Sequence, residues 1–268
     1  MKRTHIITIV FFIILAIGAY VFLPNFKTDK STASETKPEK PVDSKDGFSI
    51  EEYLTKVSQN LNKDTLALVN DHIKAENWSA LASIYHTKGE SVAEAHYTLL
   101  GASQKSDFER SGDLFQATAS ISNTPAMSSF LIEKAVFAFE KAFNMDTTDI
   151  KVKMKLATSF IEQGTAPMQG ISMLLDIVKR DPANADAHLL LGKFAMMSNQ
   201  FEKAVQRLEK VLSLRPQSND ARFLLAVAHQ NLGNKDKAIE LLEQCKTNET
   251  NPELKQEIEG YIKQLKEN

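Results

Sequence analysis

Ala185 to Pro216 reads ADAHLLLGKFAMMSNQFEKAVQRLEKVLSLRP, with apolar residues at helical spacing and one interruption. Ala187, Leu190, Leu191, Phe194 and Ala195 recur every three or four residues. After Asn199 and Gln200, so do Phe201, Val205, Leu208, Val211 and Leu212. Pro216 ends the second run, because proline lacks the amide hydrogen that a continuing helix needs and its ring clashes with the preceding turn. The stretch therefore predicts a helical hairpin that turns at 199–200. Neither helix can hide its apolar stripe inside one hairpin, so a hairpin of this kind needs stacked neighbours.

The neighbours are in the sequence. A step of 34 residues aligns Ala157, Leu191 and Leu225; Gly170, Ala204 and Ala238; Ile171, Val205 and Ile239; Leu174, Leu208 and Leu242; and Ile177, Val211 and Cys245. Pro182 and Pro216 share the step. Small residues recur where small residues stood and aliphatics where aliphatics stood, which marks a repeat array. One further step back, of 35 residues, lands on Ala135, Val136, Phe139 and Ala142.

These residues resemble the tetratricopeptide repeat (TPR) family. Leu191, Gly192, Phe201, Ala204 and Pro216 match its pattern in one unit, and Leu225, Ala226, Gly233 and Ala238 match it in the next. The match is strongest over 151–250. His188 stands where the family often has Trp and Ala195 where it often has Tyr, while Thr158 and Gly170 fit the usual small pair less well. The resemblance implies an all-α fold, a helical-hairpin repeat solenoid of TPR-like superhelical type, whose first helices line a groove for extended peptides or helices.

Upstream, Trp78, Leu81, Ala82 and Tyr85 read as the first helix of a degenerate unit with Val92–Ser103 as its partner. Phe108–Ile121 and Met127–Met145 read as another, joined across Ser122-Asn123-Thr124-Pro125. About five hairpins are expected over 74–250, preceded by a helical region at 48–73. Beyond them, 251–268 is expected as a capping helix, with Leu254, Ile258, Tyr261, Ile262 and Leu265 on one face.

The N-terminus differs in kind. Ile6 to Leu23 runs IITIVFFIILAIGAYVFL, 18 residues without a charge, after Lys2 and Arg3. At about 1.5 Å per residue this spans roughly 27 Å, near the thickness of a bilayer's hydrocarbon. Residues 1–23 therefore predict an N-terminal transmembrane helix or signal-anchor. A cleaved signal peptide is the alternative, with small residues at Ala16 and Gly18 before Ala19, although apolar residues continue to Leu23. No cysteine follows the run, which excludes lipidation of the bacterial lipoprotein kind. Residues 24–47 are rich in Lys, Asp, Glu, Ser, Thr and Pro and are expected as a disordered tether. Such an anchor, preceded by only a few residues, places the rest of the chain on the periplasmic or outer side of the cytoplasmic membrane, although lysines on both sides leave the charge rule itself ambiguous.

Composition excludes several functions. Residues 48–268 carry 25 basic and 29 acidic side chains, which does not suit nucleic acid or an anionic membrane surface. One cysteine, Cys245, excludes an intrachain disulfide and a Cys-based zinc site, and its repeat column reads it as a buried small hydrophobe. No Walker loop, Gly-x-Ser-x-Gly elbow or His-Glu-x-x-His motif is present. No catalytic residue, cofactor or metal is therefore expected, and an enzyme or metal protein using His72, His86 and His96 is the weaker alternative.

A protein partner is the expected ligand. The resemblance places Val152, Lys155, Ser159 and Glu162 in the groove, followed by Asp186, Leu189, Lys193, Met196 and Met197, and then by Asp220, Phe223, Val227, Gln230 and Asn231. Met suits varied partners. Met196 and Met197 also fit as core filler. Lys155 and Lys193 alone do not reproduce the Lys, Arg and Asn cluster with which some family members clamp a terminal carboxylate. The sequence thus reads as a membrane-tethered scaffold for other proteins, with a self-associating structural protein as the rival.

Overall fold

The computed structural model describes residues 47–267. The expected anchor and all but the last residue of the expected tether fall outside the described residues. Among the described residues there are 13 helices and no strand, and no helix is long and apolar enough to cross a membrane. The described residues form an all-helical series of hairpins.

It divides into two compact units, one ending at Pro182 and the other beginning at Ala183. The first contains α1 (Ile50–Gln59), α2 (Lys63–Lys74), α3 (Trp78–Lys88), α4 (Ser91–Leu100), α5 (Lys105–Ala119), α6 (Pro125–Met145), α7 (Ile150–Gln163) and α8 (Pro167–Arg180). The second contains α9 (Ala185–Met197), α10 (Phe201–Leu214), α11 (Asn219–Asn231), α12 (Lys235–Asn248) and α13 (Pro252–Glu267). The hairpins α3/α4, α5/α6, α7/α8, α9/α10 and α11/α12 each pack helix against helix.

Local chemistry punctuates the hairpins differently at their two ends. First helices open on side-chain caps: Asn77, Asp149, Asn184 and Ser218 accept from backbone N–H groups in the first turns of α3, α7, α9 and α11. Their partners α4, α8, α10 and α12 have no such cap. The tight turn between partners instead needs a left-handed residue. Gly89, Gly164 and Gly233 have φ of 73°, 74° and 78°, and Asn199 has 56°. Asn199 and Gly233 lie 34 residues apart, so the repeat carries this backbone requirement as well as its apolar pattern.

The repeat columns become layers of core. Leu174, Leu208 and Leu242 are fully buried, and Ile177, Val211 and Cys245 nearly so. Each fully buried leucine contributes about 1.5–3 kcal/mol relative to exposure. Ala204 and Ala238 are also fully buried. At Gly170 an added Cβ would come within 2.2 Å of the Ala157 carbonyl oxygen, so α7 and α8 approach more closely than a side chain permits. In the first unit Phe115, Leu131, Ala135 and Phe139 join Ile50 from α1, and Phe48 lies against Phe130 with ring centroids 5.0 Å apart. The leading residues are thus built into the core of the later hairpins.

Candidate functional site

In the first unit, α5 and α7 lie side by side as first helices of successive hairpins, and polar side chains join them. Lys155 donates to Asp113 at 2.7 Å, reaches Glu109 at 4.0 Å, and sits 5.7 Å from the centre of the Phe139 ring. One to two turns along, the Gln116 amide donates to Glu162 at 2.8 Å. Lys155 and Glu162 are seven residues apart and Asp113 and Gln116 three, so each pair lies on one face of its helix. The result is a polar strip in which Asp113, Gln116, Lys155 and Glu162 meet solvent.

Glu162 has its pKa raised by burial, against the opposing hydrogen bond from Gln116. Its side chain nevertheless keeps open surface. The two facts are compatible on a face hemmed in by protein, where accessible area overstates hydration. Val152 and Ser159, placed in the groove by the resemblance, are fully buried. They offer no surface to a ligand, and the Ser159 hydroxyl has no hydrogen-bond partner.

In the second unit, α9 and α11 are the corresponding helices. Met197 is 57% exposed, Lys193 and Leu189 are half-buried, and Asp186 is held by Arg215 through two hydrogen bonds of 2.5 and 2.9 Å. The Arg215 guanidinium holds the Asp186 carboxyl below its usual range. Met196 is buried among Leu208, Leu224 and Leu225. On α11, Asp220 and Asn231 are exposed, the Asn231 amide donating to the Val227 carbonyl at 2.8 Å, while Val227 itself is buried. Phe223 and Gln230 are covered in part by α13: Tyr261 lies against Phe223 and donates its hydroxyl hydrogen to Gln230.

Ten of the fourteen residues thus keep some surface, and Val152, Ser159, Met196 and Val227 do not. Met196 and Val227 are enclosed because they join the apolar core of the second unit, and Val152 and Ser159 lie on the buried side of α7. Three participants escaped the sequence reading. Asp113 and Gln116 stand on α5, where the long loop 120–124 and the 21-residue α6 break the register of 34, although Glu109, Asp113 and Gln116 already recur at helical spacing. Tyr261 acts from outside the repeats.

No constellation for bond chemistry accompanies these faces. Among the described residues no three His, Cys, Asp or Glu side chains gather to hold a metal. His86 bonds Glu94 through Nδ1 at 3.0 Å, and Arg110 donates to the same carboxylate at 2.6 Å, so a buried charge is balanced by its neighbours. Burial lowers His96 to about 4 and pushes the Cys245 thiol up to about 11, which leaves the thiol protonated and unreactive at neutral pH.

Residues 195–256 match the family model described as tetratricopeptide repeat. Comparison with curated proteins gives no match. Among solved structures, a crystal structure of MamA is 19% identical, covering 63% of this chain and 94% of its own, with a TM-score of 0.48. MamA 41-end from Desulfovibrio magneticus RS-1 is 16% identical over 65% and 94%, with a TM-score of 0.49. YrrB, described as a TPR protein with an unusual peptide-binding site, is 14% identical over 79% and 98%, with a TM-score of 0.46.

Proposed function

We propose that this chain is a scaffold or adaptor that binds segments of other proteins along the open faces of its first helices, and that it has no catalytic role. The observation that carries the reading is the strip on α5 and α7. Two parallel first helices there present alternating Asp113, Lys155, Gln116 and Glu162 over a floor closed by Ser159 and Phe139. A rigid surface with fixed donors and acceptors binds an extended segment at little ordering cost to itself. In the second unit Leu189, Lys193 and Met197 supply an apolar and adaptable counterpart.

The reading includes a membrane tether. The uncharged run 6–23 supports an anchor, and the polar, Pro-containing stretch 24–47 supports a flexible spacer with an r.m.s. span on the order of 25–30 Å. Tethering confines the binding faces to the zone beside the membrane and raises the effective concentration of partners there. On this reading the repeats lie on the periplasmic or outer face of a bacterial cytoplasmic membrane and serve the assembly or maturation of an envelope complex.

Photo-crosslinkers placed in the full chain at the exposed Asp113 on the α5–α7 strip and at Met197, and at the exposed Glu209 on α10, test the binding reading in the native cell. Discrete adducts from the first two positions and none from Glu209 are expected. Adducts of the same partner from all three, or from Glu209 alone, would remove the first-helix face. Adducts with a second copy of the chain would favour the self-associating structural protein. Reporter fusions at the C-terminus test the orientation, and activity of a cytoplasm-only reporter would overturn it.

A further inference from the structure

On the other side of the first unit, the second helices α6 and α8 do not close over α7. A cleft of about 510 Å³ lies between them, lined by Glu140, Phe143, Lys153, Leu156, Phe160 and Met173. Its volume falls within the roughly 300–1,000 Å³ typical of ligand clefts. The floor is apolar, since Leu156 and Phe160 are core residues of α7, and Phe143 and Met173 flank them from α6 and α8. Asn144 and Gln169 stand exposed at the rim.

The charges in this cleft are unequal in their pairing. Lys153 is bonded to Asp176, which also receives Arg180 at 3.0 Å, and Arg180 points outward with most of its side chain in solvent. Lys153 therefore already has a carboxylate partner within the fold. Glu140 is half-buried at the cleft wall and has no hydrogen-bond or ion-pair partner among the described residues. Burial raises its pKa, and the only charge opposing this is Lys141, whose ammonium is drawn over the Phe137 ring at 5.4 Å. A desolvated carboxylate without a partner is costly, and a cation delivered into the cleft would recover that cost.

We propose that the α6–α8 cleft is a second binding site, independent of the first-helix faces, for a protein segment that presents an aromatic or aliphatic side chain next to Lys or Arg. The apolar side chain enters between Phe143 and Met173 onto Leu156 and Phe160, and the neighbouring cation pairs with Glu140. The occupant is basic rather than acidic because Glu140 is the unpaired charge, whereas Lys153 is held by Asp176. One chain can then hold two partners, or two segments of one partner, on opposite sides of the same hairpins.

The test uses the full chain in detergent micelles with two fluorescein-labelled hexapeptides, Gly-Ser-Phe-Lys-Ser-Gly and Gly-Ser-Phe-Glu-Ser-Gly, followed by fluorescence anisotropy. The Lys peptide is expected to bind at least tenfold more tightly than the Glu peptide. Glu140→Gln should remove that preference while circular dichroism stays unchanged, and Asn144→Trp, which fills the rim from an exposed position, should weaken binding at least fivefold. Asp113→Asn, on the α5–α7 strip, should leave it unchanged, which separates this site from the proposed scaffold faces. Equal binding of the two peptides, binding that survives Glu140→Gln with its preference intact, or no binding at millimolar peptide would overturn the proposal. Self-association of the chain that Asn144→Trp abolishes would assign the cleft to a second copy and overturn it as well.

Discussion

Tyr261 of the terminal helix rests on Phe223 of the last repeat, with ring centroids 6.1 Å apart, in the place where a further first helix would otherwise stack. Ile262 and Leu265 from the same helix are buried in the core of the second unit. Tyr261→Ala should therefore destabilise the second unit by about 2 kcal/mol, through lost aromatic burial and the lost bond to Gln230. Urea unfolding followed by circular dichroism checks this, and an unchanged midpoint would show that α13 caps nothing. Phe223→Glu is expected to act in the same way, so reduced partner capture by that variant would report a loosened cap.

Gly170, Ala204 and Ala238 share a repeat column but respond to substitution with opposite requirements. Gly170→Ala should cost about 1–3 kcal/mol, because its new methyl would meet the Ala157 carbonyl oxygen. Ala204→Gly and Ala238→Gly should each cost about 1 kcal/mol through lost helix propensity and packing. Denaturation midpoints of the three variants decide it, and a stabilised Gly170→Ala chain would contradict the close approach of α7 and α8.

The left-handed turn position gives a paired comparison. Gly233→Ala should lower stability by about 1 kcal/mol, since an alanine there adopts φ near +78° only with strain. Asn199→Gly should be neutral or mildly stabilising, because glycine accepts the φ of 56° without steric cost. Thermal melts of the two variants should move in different directions or by clearly different amounts.

Ser159 and Glu162 lie less than one turn apart on α7, one buried and one exposed, and predict different outcomes. Ser159→Ala should leave stability unchanged or raise it, since the buried hydroxyl has no partner to lose. For Glu162, burial raises the folded pKa above the unfolded one. The folded state then holds its proton more tightly, so ionising Glu162 costs stability at neutral pH and costs nothing below the unfolded carboxylate pKa. Glu162→Gln should accordingly be the more stable protein at pH 7, with the gap closing near pH 4. Urea midpoints at the two pH values measure it, and a gap that widens on acidification would reverse the sign.

Acid should also loosen the joint between α5 and α7. Thr148 and Lys105 hydrogen-bond the Asp146 carboxylate and hold it down to about 2, and Lys105 likewise lowers Asp149. Depressed carboxylates contribute stability that is complete above the unfolded pKa and is lost as pH falls through the folded value. Lys105→Met should therefore flatten the acid limb of the stability profile below pH 4. An unaltered limb would show that the Lys105 cluster is fully screened.

The contrast between core and face columns explains how far the sequence was legible. Leu174, Leu208 and Leu242 keep both residue type and burial through three repeats, so a register of 34 finds them without knowledge of the fold. Ser159, Lys193 and Val227 share a column too, yet they are buried, half-buried and buried, and Glu162, Met196 and Gln230 are exposed, buried and half-buried. A face position is free to vary because either solvent, a neighbouring helix or α13 can cover it. Its exposure depends on which neighbour is present, and the resemblance supplies only its place on the helix. The role of Phe48 and Ile50 against Phe130 and Val92 was hidden for another reason. These contacts join residues more than 40 positions apart and follow no period.

The ion pairs Arg215–Asp186 and Lys153–Asp176 have a mechanical meaning. Each links the opening turn of a hairpin's first helix to the closing turns of its second, at the end where the chain enters and leaves. Tension transmitted along a chain fixed at one terminus and loaded at the other arrives at that end first. Pulling on the two ends of such a hairpin loads the ion pair first, so the pair is expected to part before the helices separate, with a resistance limited by the exposure of Arg215 and Asp186.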